Sequence, residues 1–281
     1  MKIGLVLEGG AMRGMYTAGV LDTFLDKDFW VEGIISVSAG ALFGVNYPSK
    51  QKGRAIRYNK KFMPDSRYVS LKNLIKTGNI ISKAFAFYEV PFKQDVFDNT
   101  TFQQTQMDFY ATITNLNTAQ AEYVKLTDPL AQMEVLRATS AMPYVSMPVE
   151  INGVPYLDGA IADSIPLEQM KKMGYDKIIV VLTRTLDYRK SKPNPILAKL
   201  WYRKYPKFAE AVNNRYAMYN QQVKSVIEQT EKGEIFVIRP SVDLNIKRVE
   251  KDPNKLQAMY DLGVSDIQRE WENLQAFLAT S

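Results

Sequence analysis

At 281 residues and 46% hydrophobic side chains, the chain can fill one large core or two small ones. It has no cysteine and no histidine, which excludes disulfides, thiol nucleophiles, Cys- or His-ligated metal sites and imidazole-driven catalysis. The net charge of +6 is concentrated: residues 50–62 hold six basic side chains and no acid, and residues 187–207 hold seven against Asp187, among Tyr188, Trp201, Tyr202 and Tyr205. Such clusters either form solvated helix faces or meet phosphates, whether of nucleic acid or of lipid headgroups.

Residues 2–8, KIGLVLE, read as a buried strand that Gly9-Gly10 break. Apolar residues then recur at helical spacing over 12–27. A second strand, 33–37, leads into Ser38, and residues 49–63 and 70–89 are predicted mainly helical. The apolar stretch 80–92, IISKAFAFYEVPF, is expected to be a buried core helix, the alternative being a flap over a cleft. Strands follow at 109–115 and 120–126, a helix at 130–139, and a hairpin over 144–157 that turns at Asn152-Gly153. Pro166 opens a short helix reaching Met173, and 176–185 is another buried strand. Helices are predicted over 195–231 and 253–278, with a strand at 234–240 between them.

Strands alternating with helices predict an α/β fold of three layers, α/β/α, around a mostly parallel sheet. The nearest thing to a linker is 188–195, so one domain over 1–281 is expected, with a core at about 1–185 and a mostly helical part at about 186–281. The apolar run near the N-terminus is too short for a signal-peptide core, and no uninterrupted apolar stretch reaches the ~20 residues of a spanning helix. A cytoplasmic protein is expected.

Three stretches carry chemistry. In EGGAMRG, 8–14, adjacent glycines between a strand and a helix let bare N–H groups face one point, which suits a phosphate or an oxyanion. The spacing fits neither dinucleotide-binding nor P-loop fingerprints, so a nucleotide binder is the weakest reading. In SVSAG, 36–40, Ser38 follows a strand and precedes small residues, as in a nucleophile elbow, with Ser36 where the first glycine belongs. In YLDGAIADSIP, 156–166, Asp158 ends a strand directly before glycine, which by itself reads as a turn. A serine hydroxyl needs a base, and this chain has no imidazole to offer.

Together, and in this order, the three stretches resemble the patatin-like phospholipase family. RATSAMPYVSMPV at 137–149 is similar to that family's small-residue approach to its catalytic aspartate, and the C-terminal part with IFVIRP looks like the bacterial branch. The resemblance covers roughly residues 3–185. It implies a patatin-like fold and a Ser–Asp dyad that hydrolyses carboxylic esters of lipids, with Ser38 as nucleophile, Asp158 as base and no cofactor or metal. The oxyanion hole it implies lies in the loop Gly9, Gly10, Ala11, Met12, Arg13 and Gly14, with Arg13 shaping that loop. Ala11 stands where a third glycine is frequent, which requires a negative φ there.

A free Asp has a pKa of ~3.9, so the base needs a dry site that raises it, and nothing near it in sequence supplies a cation to lower it again. The expected partners are a lipid or small ester substrate and peripheral contact with a membrane through residues 187–207, with no nucleic acid. The alternative is a binding or regulatory protein on the same fold, its dyad inactive because of Ser36.

Overall fold

The strands whose apolar runs are nearly unbroken in sequence lie at the middle of the sheet, covered on both faces. The protein is seen in a computed structural model that describes residues 1–280. Its strands are β1 (Ile3–Leu7), β2 (Gly33–Val37), β3 (Asp108–Asn115), β4 (Ala121–Lys125), β5 (Val149–Ile151), β6 (Val154–Asp158), β7 (Lys177–Val181) and β8 (Phe236–Ile238). They form a sheet of order β5-β6-β3-β2-β1-β7-β8, with β4 on the free edge of β3. The five strands from β3 to β8 are parallel, and β4, β5 and β6 add the antiparallel part.

The helices are α1 (Met15–Asp26), α2 (Ala39–Gly44), α3 (Arg54–Phe62), α4 (Leu71–Thr77), α5 (Asn99–Gln104), α6 (Met133–Ser140), α7 (Leu167–Lys172), α8 (Pro195–Trp201), α9 (Pro206–Glu231) and α10 (Pro253–Ala279). Side chains alternate across a strand, and the core divides accordingly. Leu5, Leu7, Ile34 and Ile179 pack under α1, α2 and α10, while Val6, Ile35 and Val180 pack under α7 and α9. The molecule is therefore a three-layer α/β/α sandwich with a mostly parallel sheet. The last helix is built into it: a Cβ at Gly19 of α1 would fall 2.1 Å from the carbonyl oxygen of Tyr260 in α10, so the two helices touch backbone to backbone.

The hairpin turns where the sequence predicts it. Asn152 and Gly153 both have positive φ, 51° and 77°, the combination of a two-residue primed turn. The stretch 80–92 departs from expectation. Its residues enter a wide-turned π-helical segment, Lys83–Gln94, with Pro91 inside it. Phe85, Val90 and Pro91 are buried, whereas Tyr88 and Phe92 reach the surface, so the segment is a wall rather than a core helix.

Candidate active site

Strand register brings the serine and the aspartate together. β2 runs parallel to β3 and ends with Val37 opposite Thr112; β6 runs antiparallel to β3 and ends with Asp158 opposite Ile113. The other edge of β3 is taken at Ile113 and Thr114 by β4, so β2 and β6 lie end to end along one edge. Their tips meet. Ser38 Oγ donates to Asp158 Oδ2 at 2.9 Å, and both residues are buried.

Ser38 has φ 55° and ψ −122°, a conformation that costs ~1–3 kcal/mol for a non-glycine residue and lifts its side chain off the strand. Its amide donates to Thr139 Oγ1 at 2.9 Å, and that hydroxyl donates to the Thr112 carbonyl at 2.6 Å. Ser36 fits the elbow because its hydroxyl donates to the Tyr110 carbonyl at 2.7 Å, leaving no buried polar atom without a partner there. Beyond Asp158, a Cβ at position 159 would fall 2.1 Å from the Thr112 carbonyl oxygen, so only glycine lets the turn close onto β3.

The glycine-rich loop lies against this elbow: a Cβ at Gly9 would be 2.8 Å from Cβ of Ser38. Among the described residues, the amides of Gly9, Gly10 and Ala11 donate to no protein acceptor. Those of Met12 and Arg13 are engaged, by the carbonyls of Arg248 at 3.5 Å and Gly10 at 3.2 Å. Gly14 is a packing position, where a Cβ would meet the Phe43 ring at 2.8 Å. Arg13 reaches the Ile246 carbonyl with Nη1 at 3.4 Å. One expectation is overturned: Ala11 has φ 50°, not a negative value, so its backbone adopts the left-handed turn at a strain of ~1–2 kcal/mol. Gly10, with φ −173°, lies outside the left-handed region.

Both oxygens of Asp158 accept a hydrogen bond, Oδ1 from the Ala160 amide at 2.9 Å and Oδ2 from Ser38. Burial raises its pKa, and Arg215, the Ala160 and Ser38 hydrogen bonds and Arg248 work against that rise. The absence of a nearby cation in sequence is thus corrected in space. Arg215 projects from α9 and donates through Nε to the carbonyl of Ala160, two residues after Asp158, at 2.7 Å. No local signal in NNRYAMYN marks Arg215.

Two cavities meet at Ser38. One, of about 100 Å³, is apolar, lined by residues such as Leu42, Phe43, Phe87, Leu130 and Met133. The π-helical wall closes one side of it through Ala86, Phe87, Val90 and Pro91. The other, of about 440 Å³, is more polar and holds Glu8, Asp158 and the cationic side chains Arg13, Arg184, Lys190, Arg215 and Arg248.

The two basic clusters behave differently from one another. In 50–62, Arg54 is buried and pairs with Asp95 at 3.3 Å, Arg57 pairs with the same carboxylate at 2.7 Å, and Lys52 pairs with Asp26 at 2.5 Å. Much of that cluster is structural. In 187–207, Lys190 turns inward into the polar cavity, while Lys199, Arg203 and Lys204 are exposed around α8. That helix also exposes Ile196, Leu197, Leu200 and Trp201. Among the described residues, no helix is long and apolar enough to cross a membrane.

A serine at the end of a central strand, bonded to a buried aspartate beside a glycine loop on a three-layer sandwich, defines a class, and a family profile agrees with it. The family profile described as patatin-like phospholipase matches residues 5–171, and the chain belongs to this family. Residues 205–279 match a second profile, described as a domain of unknown function (DUF6363). The chain is 30% identical over 190 residues to the uncharacterized protein YjjU of Escherichia coli (strain K12), a match covering 65% of this chain and 52% of that protein. It is 27% identical over 198 residues to the lysophospholipase NTE1 of Chaetomium globosum, covering 66% of this chain and 12% of that one. The match therefore spans about half of the first relative and a small part of the second. Among solved structures, VipD from Legionella pneumophila is similar at 12% identity and a TM-score of 0.41, over 92% of this chain and 67% of that one.

Proposed function

We propose that the protein is a serine acyl hydrolase that cleaves carboxylic esters of lipids through Ser38 and Asp158. The observation that carries this reading is the 2.9 Å hydrogen bond between them, in a buried site where two cavities of opposite character join. Asp158 takes the Ser38 proton as Oγ attacks the ester carbonyl, and the same proton passes to the departing alcohol. Water then attacks the acyl-enzyme with Asp158 again as base, releasing the acid and restoring Ser38. The amides of Gly9, Gly10 and Ala11 are the donors available for the oxyanion, and one such donor can be worth ~10²–10³ in kcat.

The raised pKa of Asp158 suits a base working in a dry cleft, and Arg215 works against that rise. On this reading the helical C-terminal third completes one catalytic unit with the rest, since α9 supplies that arginine. Family membership and the lysophospholipases among the relatives support lipid esters as substrates. The test is a fluorophosphonate probe mapped by peptide mass, together with turnover of p-nitrophenyl esters. Labelling at Ser38, and loss of both labelling and turnover in Ser38→Ala, is expected; equal turnover in Ser38→Ala overturns the reading.

Peripheral contact with a lipid surface belongs to the same proposal. The exposed apolar side chains of α8 sit among Lys199, Arg203 and Lys204, and α4 exposes Leu71 and Ile75. The segment 144–147 links the two helices, because Tyr144 meets the Trp201 ring at 5.8 Å and the Met147 amide donates to Asn79 at 3.0 Å. Tyr144 and Val145 also line the polar cavity, so this rim borders the route to Ser38.

A further inference from the structure

The buried Arg54 has a carboxylate within salt-bridge distance, whereas the cations beside Ser38 outnumber the carboxylates they face. Arg54 and Arg57 share Asp95. In the polar cavity, by contrast, five cationic side chains converge from four separate segments: Arg13, then Arg184 with Lys190, then Arg215, then Arg248. Among the described residues, only Arg184 has an ion pair, with the half-exposed Asp243 at 3.6 Å. The two carboxylates that line the cavity accept from neutral donors and form no salt bridge with the cations among the described residues. Glu8 accepts from the amide of Thr183 at 2.6 Å and from its hydroxyl at 3.2 Å, and Asp158 is held by Ala160 and Ser38.

Five cations face two carboxylates, and other contacts position them. Lys190 Nζ lies 3.9 Å from the Tyr219 ring centre, and Arg184 Cζ lies 4.0 Å from that of Tyr188. The Nε atoms of Arg13 and Arg184 are buried with no hydrogen-bond partner among the described residues. Burial and crowding together lower the proton affinity of these groups. Burial, then Arg215, holds Lys190 down at about 7, and burial, then Arg184, holds Arg13 at about 10. Unpaired like charges around unfilled space oppose folding, and a bound anion would relieve that opposition.

We propose that this cavity is a seat for a compact phosphate, so that the preferred substrate is an acyl ester whose leaving alcohol carries a phosphomonoester. The proposal rests on the acyl-hydrolase reading for the chemistry and adds the identity of the alcohol. Ser38 borders both cavities, so an ester seated on it directs its acyl chain to the apolar one and its alcohol to the cationic one. A choline-type headgroup is disfavoured, because its ammonium finds no free carboxylate and the faces of Tyr188 and Tyr219 already hold Arg184 and Lys190. A neutral glycerol leaves the cations unpaired.

The experiment compares monooleoyl glycerol phosphate, monooleoyl glycerophosphocholine and monooleoyl glycerol in micelles of one non-ionic detergent, which removes surface-charge effects. Hydrogen bonds to charged groups are worth enough, ~10-fold or more in affinity each, for kcat/KM to favour the phosphomonoester at least ~10-fold over the neutral ester. In Lys190→Met and Arg184→Gln that preference should collapse toward parity, while Lys224→Gln, on the exposed face of α9, should keep it. Binding of the oleyl ether of glycerol phosphate, which cannot be hydrolysed, is measured in parallel by calorimetry against its phosphocholine analogue. Equal turnover of all three esters overturns the phosphate seat and leaves the hydrolase standing. No turnover, with the ether phosphate bound in preference to the ether phosphocholine and weakened by Lys190→Met, overturns the hydrolase and leaves the seat standing. Neither turnover nor binding overturns both.

Discussion

Replacing Gly9 with alanine adds one methyl group at the closest contact between the glycine-rich loop and the elbow. Its Cβ falls 2.8 Å from Cβ of Ser38 and 3.0 Å from the carbonyl oxygen of Val37. Carbon atoms settle ~3.5–4.0 Å apart, so the loop and the elbow must separate by roughly 1 Å. Neither neighbour can swing aside, since one is backbone and the other is the first carbon of a side chain. Overpacking of this kind costs ~1–3 kcal/mol, so the melting temperature should fall by several degrees. The catalytic effect should be larger. Misplacing reacting groups by ~1 Å costs ~10²-fold, so kcat for p-nitrophenyl butyrate should drop about that much with KM little changed. Gly153→Ala is the control. It also strains the backbone, at φ 77°, yet its Cβ meets nothing within 4 Å and it lies in the hairpin turn away from Ser38. That variant should lose ~1–2 kcal/mol of stability and keep its kcat. A Gly9→Ala enzyme that melts low but turns over like wild type would refute the claim that this loop faces the reacting carbonyl.

Ser36→Ala should retain most ester turnover, since its hydroxyl only satisfies the Tyr110 carbonyl, whereas Ser38→Ala should lose it; the reverse pattern would reassign the nucleophile. Asp158→Asn should lower kcat ~10²–10⁴-fold with similar KM. Because burial raises the folded-state pKa of Asp158, its contribution to stability is fully present below the unfolded value of ~3.9 and is lost as pH rises through the raised value. Asp158→Asn should therefore melt higher than wild type near neutrality, with the advantage vanishing toward acid pH in calorimetric scans. Binding to vesicles containing anionic lipid should weaken as salt rises, and Lys199→Gln, Arg203→Gln and Lys204→Gln together should weaken it further, each cation near such a surface being worth ~1 kcal/mol. Flotation with no binding at low salt would remove the lipid-surface contact.

What the sequence determined by itself is local. A serine after a β-branched strand, two adjacent glycines and an Asp-Gly pair each set backbone geometry through their own covalent neighbours, so the elbow, the loop, the hairpin at Asn152-Gly153 and the alternation of strands and helices were legible before any packing was known. Their joint order also carried the family resemblance. Tertiary structure decided the electrostatics. Arg215 stands 57 positions after Asp158, and reaches the Ala160 carbonyl only because α9 packs against the turn that follows β6. Lys190 belongs to a basic run whose exposed members look identical to it in sequence, yet it turns inward while Lys199 and Arg203 do not. The strain at Ala11 was likewise invisible, because a loop's φ angles follow from what it packs against, here the elbow at Ser38 and the side chain of Thr183. Charge interactions fall off with distance through space and not along the chain, so only the folded arrangement could show which cations surround the site.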